Sequence, residues 1–127
     1  MTDWPGPIGA ITLFVEDLPS AREFYGRAFD LSPVFETDDS IVFRFDGLHL
    51  NLLAATSGPE LVQPAAVAPR SAGTGVVFSL EVDDVDASCA ALAARGVTLL
   101  NGPMDRPWGI RTASFSDPDG HVWEIAH

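Results

Sequence analysis

The sequence predicts an α+β fold in which a unit of strand, helix and three further strands occurs twice within 127 residues. Three observations predict it. Short runs rich in β-branched and aromatic residues alternate with a period of two, as half-buried strands do. In each half the first such run leads into an acidic turn and a helical pattern. Finally, Val15-Glu16-Asp17-Leu18 is matched by Val82-Asp83-Asp84-Val85 at an offset of 67, and the last strands of the halves align at an offset of 73, the difference being loop length. An internal repeat accounts for both offsets.

The first unit is expected over residues 8–53. Its opening strand runs from Ile8 to Val15. Asp17 then stands as the helix N-cap, and Pro19 fits the first turn, where the amide donors have no partner in any case. Ala21, Phe24, Tyr25, Ala28 and Phe29 recur at helical spacing behind it. Three short strands follow, at about Pro33–Thr37, Ser40–Phe45 and Leu48–Leu53. Asp38-Asp39 separates the first two of these, and Asp46-Gly47 marks a hairpin whose two turn positions both favour positive φ.

From Ala54 to Gly75 the chain turns to Ala, Pro, Gly, Ser and Thr without sustained periodicity, which predicts a connector crossing the surface. The second unit is expected over residues 76–126. Val76–Val82 is its first strand, Asp83-Asp84-Val85-Asp86 starts a helix with Val85, Cys89 and Leu92 on one face, and Gly96 ends it. Strands are expected at about Val97–Leu100, Ile110–Ser116 and His121–Ala126. Asp117-Pro118-Asp119-Gly120 suits a type I turn between the last two.

The composition fits one folded domain over residues 1–127. With 46% hydrophobic and 20% charged residues the chain has enough apolar material for a core, which a disordered acidic segment lacks. All seven basic residues are arginine. The absence of lysine excludes a Schiff-base nucleophile and a P-loop phosphate clamp. Eighteen acids give a net charge of −11, which opposes nucleic acid and anionic membrane surfaces and suits neutral or cationic small ligands. The single cysteine, Cys89, excludes an intrachain disulfide and a cysteine-based zinc site; on an apolar helix face it is expected to be a buried, inert thiol. The segment Met1-Thr2-Asp3-Trp4-Pro5-Gly6-Pro7 has no leader pattern, and no apolar run reaches the roughly 18 residues of a membrane span. A cytoplasmic protein is expected.

The repeated unit resembles the vicinal oxygen chelate superfamily of glyoxalase I, extradiol dioxygenases, fosfomycin-resistance enzymes and bleomycin-resistance proteins. The segments that carry the resemblance are Leu13-Phe14-Val15-Glu16-Asp17-Leu18 with Phe24-Tyr25, and Phe115-Ser116-Asp117-Pro118-Asp119-Gly120-His121-Val122-Trp123-Glu124. The likeness implies two βαβββ modules forming a cup-shaped sheet with helices on its convex side. Alternation along each strand then assigns faces. Ile11, Leu13, Val15, Leu48, Leu50, Leu52, Phe78, Leu80, Val82, Trp123 and Ile125 are expected in the core. Ala10, Thr12, Phe14, His49, Asn51, Leu53, Val77, Ser79, Glu81, Val122, Glu124 and Ala126 are expected to face the cup.

Metal-dependent members of the superfamily place ligands at positions that correspond here to Ala10, Asn51, Val77 and Glu124. Only Glu124 is a strong ligand, whereas transition-metal sites need about three His, carboxylate or thiolate donors. No metal and no cofactor is therefore expected, and glyoxalase, dioxygenase and fosfomycin-type chemistry loses its Lewis acid. A site from His49, Glu81 and Glu124 is the alternative, and would make the protein a lyase-like or dioxygenase-like enzyme. His121 is expected to point away from the cup, contacting solvent or a helix.

Arg106-Pro107-Trp108-Gly109-Ile110-Arg111, leading into the Asp117–Gly120 turn, resembles the bleomycin-resistance branch. That likeness implies an antibiotic-sequestering binding protein for a small aromatic or cationic molecule, acting as a homodimer whose cup the second chain completes or borders. Trp108 would supply a stacking surface, or else pack its loop onto the domain or the partner subunit. Glu81 and Glu124 would supply charge, Asn51 and Ser79 hydrogen bonds, and Phe14 and His49 further contacts. Arg44 and Arg111, if they face the cup, would favour an anionic group or neutralise the glutamates.

Overall fold

The computed structural model describes residues 4–127; the reading of Met1-Thr2-Asp3 as lacking a leader lies outside them. The fold is α+β, with two separate four-stranded sheets. The first contains β1 (Ala10–Val15), β2 (Phe35–Glu36), β3 (Ser40–Phe45) and β4 (Leu48–Ala54) in the order β1-β4-β3-β2. The helix α1 (Leu18–Phe29) connects β1 to β2. After a short α2 (Pro59–Val62), the second sheet takes β5 (Val77–Glu81), β6 (Leu99–Asp105), β7 (Arg111–Ser116) and β8 (Val122–Ala126) in the order β5-β8-β7-β6, with α3 (Val85–Ala94) after β5. The two sheets thus share one topology. In each, the opening strand lies parallel to the closing strand, an arrangement that needs a crossover and cannot be made with a hairpin.

Local chemistry places the helices. The Asp17 carboxylate accepts a hydrogen bond from the Ser20 amide at 3.1 Å, and Asp84 accepts one from Ala87 at 3.0 Å, so each helix is capped by the acid that follows its strand. Arg95 closes α3, and Gly96 follows with a φ of 79°. At the β3–β4 hairpin the left-handed backbone is confined to Asp46, with a φ of 49°. The expectation that both turn positions take positive φ does not hold there.

Two stretches differ from the sequence reading in extent. The connector contains 3-10 turns at Ala55–Ser57 and Arg70–Ala72 besides α2. Pro59 breaks a pattern on paper, yet at the start of a helix it costs no hydrogen bond. β6 continues to Asp105, well past Leu100, because its pairing with β7 shifts register between Leu99 and Asn101 and again before Met104. Pro103 is tolerated because β6 is an edge strand. Gly102 has a φ of 86°, and a Cβ there would lie 2.5 Å from the Thr112 carbonyl oxygen and 2.7 Å from the Ala113 Cα.

A single apolar core joins the sheets. Leu13, Val15, Phe43, Leu50 and Leu52 enter it from the first, Phe115, Trp123 and Ile125 from the second, and Ala21, Phe24, Tyr25 and Ala28 from α1. Trp123 is the point of contact: its ring lies 6.0 Å from Tyr25, 5.4 Å from Phe29 and 5.6 Å from Phe45. Cys89 is buried in the same core, where desolvation raises its thiol above the ordinary value.

A polar cluster is built into this contact. The Tyr25 hydroxyl donates to Asp117 Oδ2 at 2.6 Å and accepts from Trp123 Nε1 at 3.0 Å. His121 Nδ1 lies 2.8 Å from the same carboxylate oxygen. Asp117 Oδ1 takes the amides of Asp119 and His121 at 2.9 and 2.8 Å. Asp119 in turn accepts the Glu16 amide at 2.9 Å and the Arg70 guanidinium at 3.1 Å. The turn after β7 therefore binds α1, the end of β1 and the connector at once.

Burial alone would raise the Asp117 carboxyl, but hydrogen bonds from His121 and Tyr25 outweigh it and hold the group below its ordinary value of 3.8. Burial alone would lower His121, but the Asp117 hydrogen bond and charge, with Asp119, raise it above 6.5. The histidine's contribution to stability is full below about pH 6.5 and is lost as pH rises through its raised folded value. The aspartate's is full above about pH 4 and is lost as pH falls through its lowered one. Urea denaturation between pH 6 and 9 should show stability declining with pH, and His121→Gln should flatten that decline; an unchanged slope would refute the assignment. Tyr25→Phe leaves two buried groups a partner short and should cost about 1–3 kcal/mol in the same assay. Gly102→Ala, with backbone too close on one side and a strained φ, should lower the melting midpoint by several degrees.

Candidate functional site

On each sheet, the strand residues that alternate with the core residues lie on the face turned away from it. On the first sheet this outer face carries Thr12, Ser40, Val42, Arg44, His49 and Asn51, set side by side by the pairings Thr12 with Asn51, Val42 with Asn51 and Arg44 with His49. Asn51 is committed on both sides. Its Oδ1 accepts from the Ser40 hydroxyl at 2.8 Å, and its Nδ2 donates to Thr12 Oγ1 at 3.4 Å. His49 is exposed opposite Ala10. Arg44 is also exposed, and its Nε donates to the Asp46 carbonyl at 3.2 Å. Phe14 is half-buried and borders a cavity of about 140 Å³ against the connector, together with Glu16, Arg70 and His121.

On the second sheet the outer face centres on Glu124. It is paired in register with Ser79 on one side and Ser114 on the other. The Ser79 hydroxyl donates to Glu124 Oε1 at 2.8 Å, which orients the carboxylate and leaves Oε2 free to take a ligand donor. Ser79, Leu80 and Glu81 line an open cleft of about 500 Å³ with Ile110, Ala126 and His127. A cleft of that size fits a small organic molecule.

Trp108 lies in the turn from β6 to β7, which the Arg106 amide closes by donating to the Ile110 carbonyl at 2.7 Å. Its ring is 67% exposed, so within the chain it does not pack the loop onto the domain. Arg106 lies 5.9 Å over that ring and is held by Thr112 Oγ1 at 2.8 Å and Asn101 Oδ1 at 3.1 Å. The indole is thus backed on one side by a fixed cation.

Arg111 is elsewhere. It shares its side of β7 with Ala113 and Phe115, which are in the core, and its guanidinium pairs with Asp86 of α3 at 3.0 Å and with Asp105 at 3.1 Å. The conditional reading of Arg111 as a cup residue is corrected by that parity. His121 lies on the core side of the second sheet, against Asp117. Sequence reasoning missed Ser40, Ser114 and Arg106. Ser40 and Ser114 become visible only once the pairing registers with Asn51 and Glu124 are known.

The donor set for a metal does not fit. Ala10 and Val77 offer no ligand atom, the Asn51 oxygen is occupied by Ser40, and Glu124 stands alone. Among the described residues no group of three or more His, Cys, Asp or Glu side chains gathers closely enough to hold a metal ion. Within the single chain, His49, Glu81 and Glu124 are accordingly not gathered into the alternative centre.

The family model of the glyoxalase/bleomycin resistance protein/dioxygenase superfamily matches residues 8–125. The chain belongs to this superfamily. An uncharacterized protein of Mycobacterium bovis is 32% identical over 120 residues, spanning 89% of this chain and 78% of its own length. The anthracycline biosynthesis protein DauV of a Streptomyces species is 32% identical over 98% of this chain, which covers 42% of that protein. Among solved structures, a glyoxalase/bleomycin resistance protein/dioxygenase from Nocardioides superposes with a TM-score of 0.87 at 26% identity, covering 98% of this chain and 85% of that one. As in the sequence reading, this superfamily member has α+β modules of the glyoxalase fold, and no helix among the described residues is long and apolar enough to cross a membrane.

Proposed function

We propose that this superfamily member is a metal-free binding protein that holds a small aromatic or cationic organic molecule, in the manner of antibiotic sequestration. The observation that carries the reading is Glu124, oriented at 2.8 Å by Ser79, a residue that lines the roughly 500 Å³ cleft, while the remaining positions that would hold a metal are Val77 on the same sheet and Ala10 and a committed Asn51 on the other. A lone carboxylate with a fixed orientation binds a cation and cannot hold a transition metal. The backed indole of Trp108 supplies a flat surface for stacking. Glu81 adds charge at the cleft, and Arg44 and His49 lie on the outer face of the other sheet. DauV is named for anthracycline biosynthesis, which supports a ligand drawn from antibiotic chemistry.

The reading includes a cytoplasmic homodimer. Val34, Phe35, Val76, Val77 and Leu100 are large apolar side chains left exposed by the single chain, and a second copy completing the cup would cover part of that surface.

Titration with bleomycin and with planar aromatic cations such as ethidium should quench tryptophan emission saturably, and Trp108→Phe should remove most of the response. Glu124→Gln should weaken a cationic ligand about ten-fold, the loss expected for one charge-assisted hydrogen bond, while leaving a neutral analogue unaffected. Equal weakening of both ligands would sink the role given to Glu124. Metal analysis of untagged protein should find far less than one transition metal per chain. One tightly held equivalent, lost in His49→Ala or Glu124→Ala, would overturn the metal-free reading.

A further inference from the structure

A second cleft lies on the opposite side of the second sheet from Glu124. It opens between the C-terminal end of α1 and α3, over the core face of β5, β7 and β8, with a volume of about 170 Å³. Its walls are almost wholly apolar: Phe29, Leu80, Val82, Leu92, Phe115 and Ile125. Leu92, Phe115 and Ile125 are fully buried, whereas Phe29, Leu80 and Val82 are only half-buried although they sit on core-facing positions. The helices do not close over the sheet here. An apolar cavity of about 150 Å³ is enough to take a benzene-sized molecule.

One group at the mouth sets the chemistry. Arg95, the last residue of the α3 cap, lines the cleft and donates from Nη1 to the Ala28 carbonyl at 3.1 Å. That bond holds the guanidinium at the rim with its remaining donors uncommitted. In a chain with 18 acids, Arg22, Arg27, Arg70 and Arg111 each pair with a carboxylate; Arg44, Arg95 and Arg106 have no such partner among the described residues, and of these Arg95 lies at an apolar cleft. The lining contains no acid. A positive, pre-oriented donor set over an apolar hollow is complementary to an amphiphile of opposite sign.

We propose that this cleft is a second binding site, for a small aromatic or branched monocarboxylate whose apolar body enters between α1 and α3 and whose carboxylate meets Arg95. The site has Leu80 in common with the cleft beside the Glu124 face; otherwise alternate side chains of β5 and β8 serve the two sides. It selects the opposite charge from the outer face, and it stands or falls independently of the antibiotic-binding reading.

The test uses the intact protein with labelled methyl groups, titrated with benzoate and with benzamide as its neutral isostere. Benzoate should shift the methyl resonances of Leu92, Val82 and Ile125 saturably, and benzamide should bind at least ten-fold more weakly, since a hydrogen bond to a charged partner is worth about one order of magnitude in affinity. Arg95→Gln should bring benzoate down to the level of benzamide. Ala91→Phe, which fills the cleft from α3, should abolish both. Benzoate affinity that ignores Arg95→Gln overturns the proposal, as do shifts confined to the outer face around Glu124. So does concentration-dependent self-association that protects these methyls, which would make a second copy of the chain the occupant.

Discussion

The buried carboxylate of Asp117 accepts four hydrogen bonds, from the Tyr25 hydroxyl, the His121 ring and the amides of Asp119 and His121, and the placement of β8 depends on it. The strand that leaves this turn alternates His121, Trp123 and Ile125 toward the core with Val122, Glu124 and Ala126 outward. A slip of one residue would exchange the two sets. Trp123 would then leave the aromatic contacts that join the sheets, and Glu124 would be buried without a partner at a cost of several kcal/mol. The same carboxylate thus fixes which side of the sheet is core and which is site.

Charge follows the same division. Four of the seven arginines are spent on ion pairs, at Arg22, Arg27, Arg70 and Arg111, which makes two, and four of these five pairs lie between largely exposed side chains, where each contributes little. Arg70 with Asp119 is the exception, since the acid is 3% exposed. The net charge of −11 is therefore mostly surface, and the acids to which the proposed function gives a role in recognition are the two on the outer face of the second sheet. Their field is screened beyond roughly 8–10 Å in physiological salt. In the binding reading proposed above, those two carboxylates act on a cation only within that distance, so discrimination rests on contact geometry at Glu124 and Glu81.

Much of this could be read in the sequence. Period-two alternation identified the inner and outer sides of β1, β4, β5 and β8, and Asp17 and Asp84 signalled the helix starts, because these features depend on neighbours within a few residues. Arg111 escaped because the expected strand began at Ile110 without a register against β8, and only the pairing of Ser114 with Glu124 decides which of its residues turn inward. The tail of β6 escaped for a related reason: Asn101-Gly102-Pro103 reads as a break, but an edge strand can bulge and resume. The polar cluster escaped almost entirely. Tyr25 and Asp117 are 92 residues apart, and nothing local tells a core tyrosine from one that caps a distant turn.

Among the described residues no hydrogen-bonded ladder joins the two sheets. Between Ile11, Phe45 and Leu48 of the first sheet and Val77, Phe78, Ser79 and Leu80 of β5 lies a gap of about 340 Å³, with Trp123 among its lining residues. Their relative position is therefore held by side-chain contacts: the rings around Trp123, the Tyr25–Asp117 hydrogen bond, the Asp119 carboxylate on the Glu16 amide, and Arg27 and Arg95 on the Arg95 and Ala28 carbonyls. Ladders resist shear because each bond constrains the next, whereas a packed aromatic contact can rotate within its well at small cost. The hydrogen bonds at Tyr25 supply the direction that packing lacks. A ligand that touched both outer faces, stacking near Trp108 and reaching toward Asn51, would sense any loosening of that contact even though none of its own atoms met Tyr25 or Asp117.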